Sequence, residues 1–96
     1  MTPAARIAAA IEVLDDIEAN RRPTSEAVKA WGLAHRFAGS GDRSSVANFV
    51  YDALRVRDSA RALMRSETSR ATVIGMLRRF RGLEPEAIAA LFGSDR

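Results

Sequence analysis

Residues 37–55, FAGSGDRSSVANFVYDALR, include the types that can bind a phosphate group: glycines, serines and an Asp-Arg pair before an apolar-periodic run. The stretch lacks the Gly-Lys-Ser/Thr end of a phosphate-binding loop, the three spaced glycines of a dinucleotide fingerprint and a preceding apolar strand. A helix start explains more of its residues. Gly39 and Gly41 would permit a left-handed turn, and Ser40 or Asp42 would accept hydrogen bonds from the first backbone amides.

The remaining polar residues predict no catalytic site. Asp15 and Asp16 are adjacent and about 100° apart around a helix, so they cannot act as the facing acid and base of a hydrolase. His35 is the single histidine, and it has no second metal ligand at helical spacing. The chain has no cysteine, which excludes a disulfide, a thiolate metal site and a cysteine nucleophile. The sequence therefore indicates neither catalysis nor metal binding.

Arginine dominates the positive charge, since 14 of the 15 basic residues are arginine. Residues 55–81 contain eight arginines and two acidic residues, whereas the rest of the chain is net acidic. A guanidinium group pairs with phosphates and stacks on bases, so this asymmetry favours an acidic partner such as RNA, with a solvated arginine face as the alternative. The candidate RNA-binding residues are Arg55, Arg57, Arg61, Arg78, Arg79 and Arg81.

The densest cationic cluster consists of Arg78, Arg79 and Arg81. Arg78 and Arg81 are three residues apart on a predicted helix and are expected to face one way, with Arg79 about 100° from Arg78. The alternative is that these arginines stabilise the negative C-terminal end of that helix and otherwise lie in solvent.

Amphipathic helices are the elements that would position these residues. Apolar residues recur at three- and four-residue steps in segments 5–17, 24–37, 46–54, 68–80 and 85–92. Residues 58–64 form either a further short helix or a continuation of the third. No segment alternates with period two. The sequence predicts an all-α fold, a compact bundle of five or six helices.

Most aromatic residues are expected to lie in the core. Five of the six fall on apolar faces: Trp31, Phe37, Phe49, Phe80 and Phe92. Tyr51 lies off the centre of its stripe and is expected at the edge. Phe49 and Leu54 fall on the most apolar stripe of the chain, so we predict that both are buried.

Length and composition fit one domain spanning residues 1–96, since 47% of the residues are hydrophobic. No run approaches the roughly 18 uninterrupted apolar residues of a membrane span. The N-terminal segment lacks the uncharged apolar block of a cleavable signal. We therefore expect a soluble, cytoplasmic protein with no membrane partner.

Three motifs carry a resemblance to a known family. They are AGSGDR at residues 38–43, VYDALR at residues 50–55 and LEPEAIAALF at residues 83–92. Their order and spacing resemble the NusB-like N-terminal domain of RsmB-type (Fmu/Sun family) RNA 5-methylcytosine methyltransferases, over nearly the whole chain. Where NusB-like relatives often have glycine after the tyrosine, this sequence has Asp52, which departs from NusB itself.

The resemblance implies an RNA-binding or RNA-positioning accessory domain, excised from a longer ribosomal RNA methyltransferase. Such enzymes bind S-adenosylmethionine and carry their attacking cysteines in a separate Rossmann-like domain, so no cofactor is expected in this chain. The implied partners are RNA, ribosomal in type, and the missing C-terminal methyltransferase domain. The resemblance also implies a structural helix start formed by Gly39, Ser40, Asp42 and Arg43, with Arg43 tied into the fold rather than committed to phosphate.

Two other functions remain open from the sequence. A protein-interaction module would dock on a protein partner, such as the missing catalytic domain, and a free-standing enzyme would need a catalytic site that the residues do not indicate. An exposed apolar patch would favour protein interaction, whereas a continuous arginine surface would favour RNA.

Overall fold

Six α-helices make up the computed structural model, which describes residues 1–92. Their bounds are α1 Pro3–Asn20, α2 Thr24–Ala34, α3 Ser40–Arg55, α4 Arg57–Met64, α5 Ser69–Arg79 and α6 Pro85–Phe92. No strand occurs in that part of the chain. The prediction of an all-α fold with five or six helices is confirmed, and the segment after α3 is a separate short helix rather than a continuation.

Side-chain caps start two of the helices. Thr2 precedes α1, and its Oγ1 accepts a hydrogen bond from the Ala5 N–H at 3.0 Å. Pro3 occupies the first turn of α1, where the backbone needs no donor. Thr68 precedes α5 and accepts from the Ala71 N–H at 3.0 Å. Each threonine satisfies a backbone amide that the helix itself leaves without a partner.

The start of α3 differs from the expected one. Gly39 precedes the helix with φ −71° and extended backbone, and Gly41 lies inside it, so neither glycine makes a left-handed turn. No side chain caps the first amides of α3. The capping role predicted for Ser40 or Asp42 is wrong, because Ser40 is already helical and the Asp42 carboxylate binds Arg6 instead.

Three helices supply most of the core. The buried apolar side chains of α1, α3 and α5 are Ile7, Ala9, Ala10, Val13, Leu14, Val46, Val50, Ala53, Ala71, Val73, Met76 and Leu77. Within each helix they recur at three- and four-residue steps, so one face of the helix turns inward. Trp31 of α2 and Ile88 of α6 are also buried and belong to this core.

α1 and α3 lie side by side and run in the same direction. Arg6, near the start of α1, contacts Asp42 in the first turn of α3, with 2.7 Å between Nη2 and Oδ1. Near the other end of α1, Glu18 lies 3.5 Å from Arg57, just past the end of α3. α2 and its flanking loops therefore carry the chain back from the end of α1 to the start of α3.

α4 and α5 form a tight antiparallel pair. A Cβ atom added to Gly75 of α5 would lie 2.7 Å from the Cβ of Ala60 and 2.8 Å from its Cα and carbonyl oxygen. Nearer the connecting loop, Arg61 Nε donates to Thr72 Oγ1 at 3.2 Å. Glycine at position 75 permits an approach of the two backbones that a side chain would block.

Two aromatic residues expected in the core lie on the surface instead. Phe37 is 82% exposed and Phe80 is 45% exposed. α2 ends at Ala34, so Phe37 falls outside the helical period. Phe80 follows the last residue of α5 with its backbone still helical, and its ring lies at that end of the helix beside Arg55.

The burial predicted for Phe49 and Leu54 is only partial. Both side chains pack against the core from its edge, because Val46, Val50 and Ala53 occupy the centre of the α3 face. Tyr51 is 43% exposed, at the edge where the sequence placed it.

Candidate nucleic-acid interface

The six arginines predicted to bind RNA do not share one surface. Arg55 and Arg81 lie where the ends of α3 and α5 meet, and Arg79 is close to Arg81 in the chain. Arg57 and Arg61 contact α1, and Arg78 contacts the loop before α6. The acidic and aromatic side chains around each group determine what its guanidinium groups can still bind.

Arg81 joins the end of α5 to α3. Its Nε and Nη2 donate to the same carboxylate oxygen of Asp52, at 3.1 and 2.6 Å. Its guanidinium carbon lies 4.4 Å from the centre of the Phe49 ring, within the range of a cation–π interaction. Phe49 and Asp52 are one helical turn apart on α3, so together they fix the orientation of this guanidinium group.

Arg55 and Phe80 lie beside this contact. Arg55 is the last residue of α3, and its guanidinium carbon lies 5.8 Å from the centre of the Phe80 ring. Arg79 precedes Phe80 in the chain and is exposed. The fold thus brings the end of α3 next to three consecutive residues at the end of α5. We name Arg55, Arg79, Phe80 and Arg81 the α3–α5 corner.

Arg57 and Arg61 are engaged within the fold. Their guanidinium groups lie 3.5 and 3.6 Å from the same carboxylate oxygen of Glu18. Arg61 also donates to Thr72 Oγ1, and the Thr72 hydroxyl in turn donates to the Thr68 carbonyl at 2.9 Å. These two arginines link α4 to α1 and α5, which is a structural use of their charge.

Arg78 and Arg81 do not face one way, so that prediction is wrong. Arg78 Nη1 donates to the Leu83 carbonyl at 3.2 Å and lies 3.8 Å from Glu84 Oε2, on the α6 side of the molecule. Arg81 contacts α3. The three-residue spacing fails because α5 ends before Arg81, and Gly82 then turns the chain with φ +71°.

The residues predicted to start α3 form a polar cluster with α1. Arg6 donates through Nε and Nη2 to Asp42 Oδ1 at 2.9 and 2.7 Å, and the ammonium of Met1 lies 3.3 Å from Oδ2. The Arg6 hydrogen bond lowers the pKa of Asp42 below its ordinary value, although desolvation acts in the opposite direction. Arg43 Nη1 donates to the Ala38 carbonyl at 2.8 Å. Both Asp42 and Arg43 therefore make contacts within the fold.

His35 is also tied to its neighbours. Its ring stacks on Trp31, with 4.4 Å between the ring centres, and its Nδ1 lies 2.9 Å from the Trp31 carbonyl oxygen. Among residues 1–92, no group of acidic or histidine side chains is placed to hold a metal ion. None of the six helices combines the length and apolarity needed to cross a membrane.

A groove that the sequence analysis missed runs along α5. It has a volume of about 940 Å³ and is bounded by α5, α6 and the end of α4. We name it the α5–α6 groove. Its main apolar and cationic lining residues are Leu63, Ile74, Ile88, Phe92, Arg70 and Arg78. No feature of the sequence pointed to this groove, because an apolar helical face predicts burial whether or not another helix covers it.

Comparison with known proteins does not place the chain in a family: no protein-family model, curated protein or solved structure matches it. The NusB-like identity drawn from the sequence motifs stays a prediction.

Proposed function

We propose that this chain is an RNA-binding or RNA-positioning accessory domain of an S-adenosylmethionine-dependent ribosomal RNA cytosine methyltransferase. The observation that carries the proposal is the α3–α5 corner, where Arg55 lies against the exposed ring of Phe80, and where Arg79 and Arg81 flank Phe80 in the chain. Guanidinium groups recognise phosphates, and an exposed aromatic ring offers a stacking surface to an unpaired base.

The corner combines a fixed cation with adaptable ones. Asp52 and Phe49 hold the Arg81 guanidinium in place, which lowers the conformational entropy lost on binding a phosphate, while the Asp52 carboxylate offsets part of its charge. Arg55 and Arg79 are exposed at the surface and can adjust to the path of the RNA backbone. Stacking of one base on an aromatic ring contributes about 1–3 kcal/mol. Single-stranded loops and bulges of structured RNA are the segments that fit this combination.

In this proposal the chemistry belongs to a separate domain. Methyl transfer to cytosine in this class uses bound S-adenosylmethionine and a cysteine nucleophile, and the present sequence contains no cysteine. The chain contributes affinity and orientation for the RNA, and the parent protein acts in the cytoplasm, where ribosomal RNA is processed.

A salt titration of RNA binding tests the proposal. We would measure the affinity of wild type and of Arg55→Ala/Arg79→Ala for structured ribosomal RNA fragments by fluorescence anisotropy, with helical content checked by circular dichroism. Loss of two phosphate contacts should reduce the slope of log K against log salt by about 1.4 to 1.8. Phe80→Ala should weaken binding to unpaired segments while leaving that slope unchanged.

The matched control is Arg22→Ala/Arg36→Ala, which removes the same formal charge at two exposed positions outside the corner. If the corner and control variants have equal slopes and affinities, binding reflects net charge alone and the proposed interface is wrong. If wild type does not bind RNA at low salt, the proposed function is wrong.

A second candidate function is a protein-interaction module that docks on the methyltransferase domain or on another protein. The α5–α6 groove favours it, because apolar side chains from three helices line it at the surface.

A further inference from the structure

The α5–α6 groove has the lining of a protein-docking site. Apolar side chains from three helices line it, and Leu63 on its α4 side is 45% exposed. Small-molecule sites add convergent polar groups that fix the orientation of a ligand. In this groove the charged groups lie on α5 and α6 at Arg70, Arg78 and Glu86, and the rest of the lining is apolar.

The charges along α5 have a regular spacing. Arg70, Ile74 and Arg78 follow one another at four-residue steps and all line the groove. At 1.5 Å per residue, the two arginines are about 12 Å apart along the helix axis. Arg70 also covers the ring of Phe92 on α6, with its guanidinium carbon 4.4 Å from the ring centre. One wall of the groove therefore presents Arg70, Ile74 and Arg78 in a row, and the Arg78 guanidinium also lies 3.8 Å from Glu84 Oε2.

We propose that the α5–α6 groove binds an amphipathic α-helix of a partner protein, with an apolar stripe against the groove floor and carboxylates on the flank that faces α5. Two acidic residues seven positions apart on such a helix are about 10.5 Å apart, which is within about 1.5 Å of the separation of Arg70 and Arg78 along α5. Glu86 lies on the α6 wall, so the opposite flank of the partner helix carries basic or neutral residues. The charge of the groove thus sets both the type of partner and its orientation.

This inference is independent of RNA binding at the α3–α5 corner. The corner uses Arg55, Arg79, Phe80 and Arg81, none of which lines the groove. A duplex or a single RNA strand needs polar partners for its phosphates and base edges, and an apolar floor does not supply them.

The test uses a designed helical peptide of 18 residues as the probe. It carries a leucine stripe at three- and four-residue steps, glutamates seven residues apart on one flank and lysines on the other. Its binding to the whole chain is measured by fluorescence anisotropy. Leu63→Asp should weaken binding about tenfold or more, because a charge would enter the apolar contact. The matched control is Leu33→Asp, at a 58% exposed leucine of α2 outside the groove, which should leave the affinity unchanged.

Charge reversal tests the orientation. Arg70→Glu should weaken binding of the glutamate peptide by about three- to fivefold, and a peptide with lysine at the matching position should recover that loss. RNA affinity should stay constant in Leu63→Asp, which separates failure of this inference from failure of the proposed function. Absence of saturable peptide binding at millimolar concentration, or an equal effect of Leu33→Asp, would overturn the inference. So would a dimer in sedimentation equilibrium that Leu63→Asp disrupts, since a second copy would then occupy the groove.

Discussion

Replacement of Gly75 by alanine tests the closest approach in the structure. The added Cβ would lie 2.7 to 2.8 Å from three atoms of Ala60, and two of these are backbone atoms. A flexible side chain could rotate away from such a contact, but the Cα and carbonyl oxygen of Ala60 move only if α4 moves. Relief therefore requires the α4–α5 pair to separate by several tenths of an ångström.

Two effects of opposite sign determine how much Gly75→Ala changes the free energy of unfolding. Alanine is about 1 kcal/mol more favourable than glycine inside a helix. Overpacking typically costs about 1–3 kcal/mol, and contact with backbone atoms at both Cα and carbonyl oxygen points to the upper part of that range. We expect Gly75→Ala to lower the free energy of unfolding by about 1–2 kcal/mol, which for a domain of this size lowers Tm by about 4 to 16 °C.

Thermal and urea unfolding followed by circular dichroism measure this effect. Gly41→Ala is the matched control, because Gly41 also lies in a helix but a Cβ there would have nothing within 4 Å, so that variant should be as stable as wild type or slightly more stable. Adding Ala60→Gly to Gly75→Ala should recover little of the loss, because the backbone atoms of residue 60 remain and glycine inside α4 itself costs about 1 kcal/mol. A Gly75→Ala protein that is as stable as wild type would show that α4 and α5 are not packed in this way.

Three further variants test residues in and near α3. Phe49→Ala should lower the free energy of unfolding by about 2 kcal/mol, less than the roughly 3–5 kcal/mol typical of a fully enclosed ring. Phe37→Ala should change it by less than about 0.5 kcal/mol, because that ring is mostly exposed. Chemical denaturation of both variants measures the two changes, and equal losses would contradict the burial described. Asp42→Asn should lower Tm at pH 7, and the difference from wild type should vanish in acid. Because the folded pKa of Asp42 is depressed, its stabilisation is complete above the ordinary value of 3.8 and is lost as the pH falls through the folded value; a Tm difference that is constant from pH 7 to pH 2 would refute the ion pair with Arg6.

Periodicity predicted the helices well and their ends less well. The apolar steps of α1, α3 and α5 come directly from core packing, so sequence and structure agree there. The ends depend on single residues whose effect is not periodic. In the sequence, Phe37 continues the apolar pattern of α2. The helix ends at Ala34, however, and the Phe37 ring is therefore exposed.

The arginine surface could be predicted only in part. A high local density of arginine was visible in the sequence, but its partners were not, because Glu18, Asp52 and Glu84 lie far from their arginines in the chain or beyond a helix end. The groove escaped detection for a related reason. An apolar helical face predicts burial, and sequence periodicity cannot tell whether the helix that should cover it is present.

The parallel course of α1 and α3 constrains the order in which the chain folds. Arg6 and Asp42 are 36 positions apart, so pairing of α1 with α3 closes a long loop, whereas α4 and α5 are joined by a short one. Local helix pairs form faster than distant ones. During synthesis on the ribosome, the apolar face of α1 stays without its main partner until α3 has been made. The apolar face of α1 therefore waits longer for its partner than the faces of α4 and α5 do, although it is buried in the folded molecule.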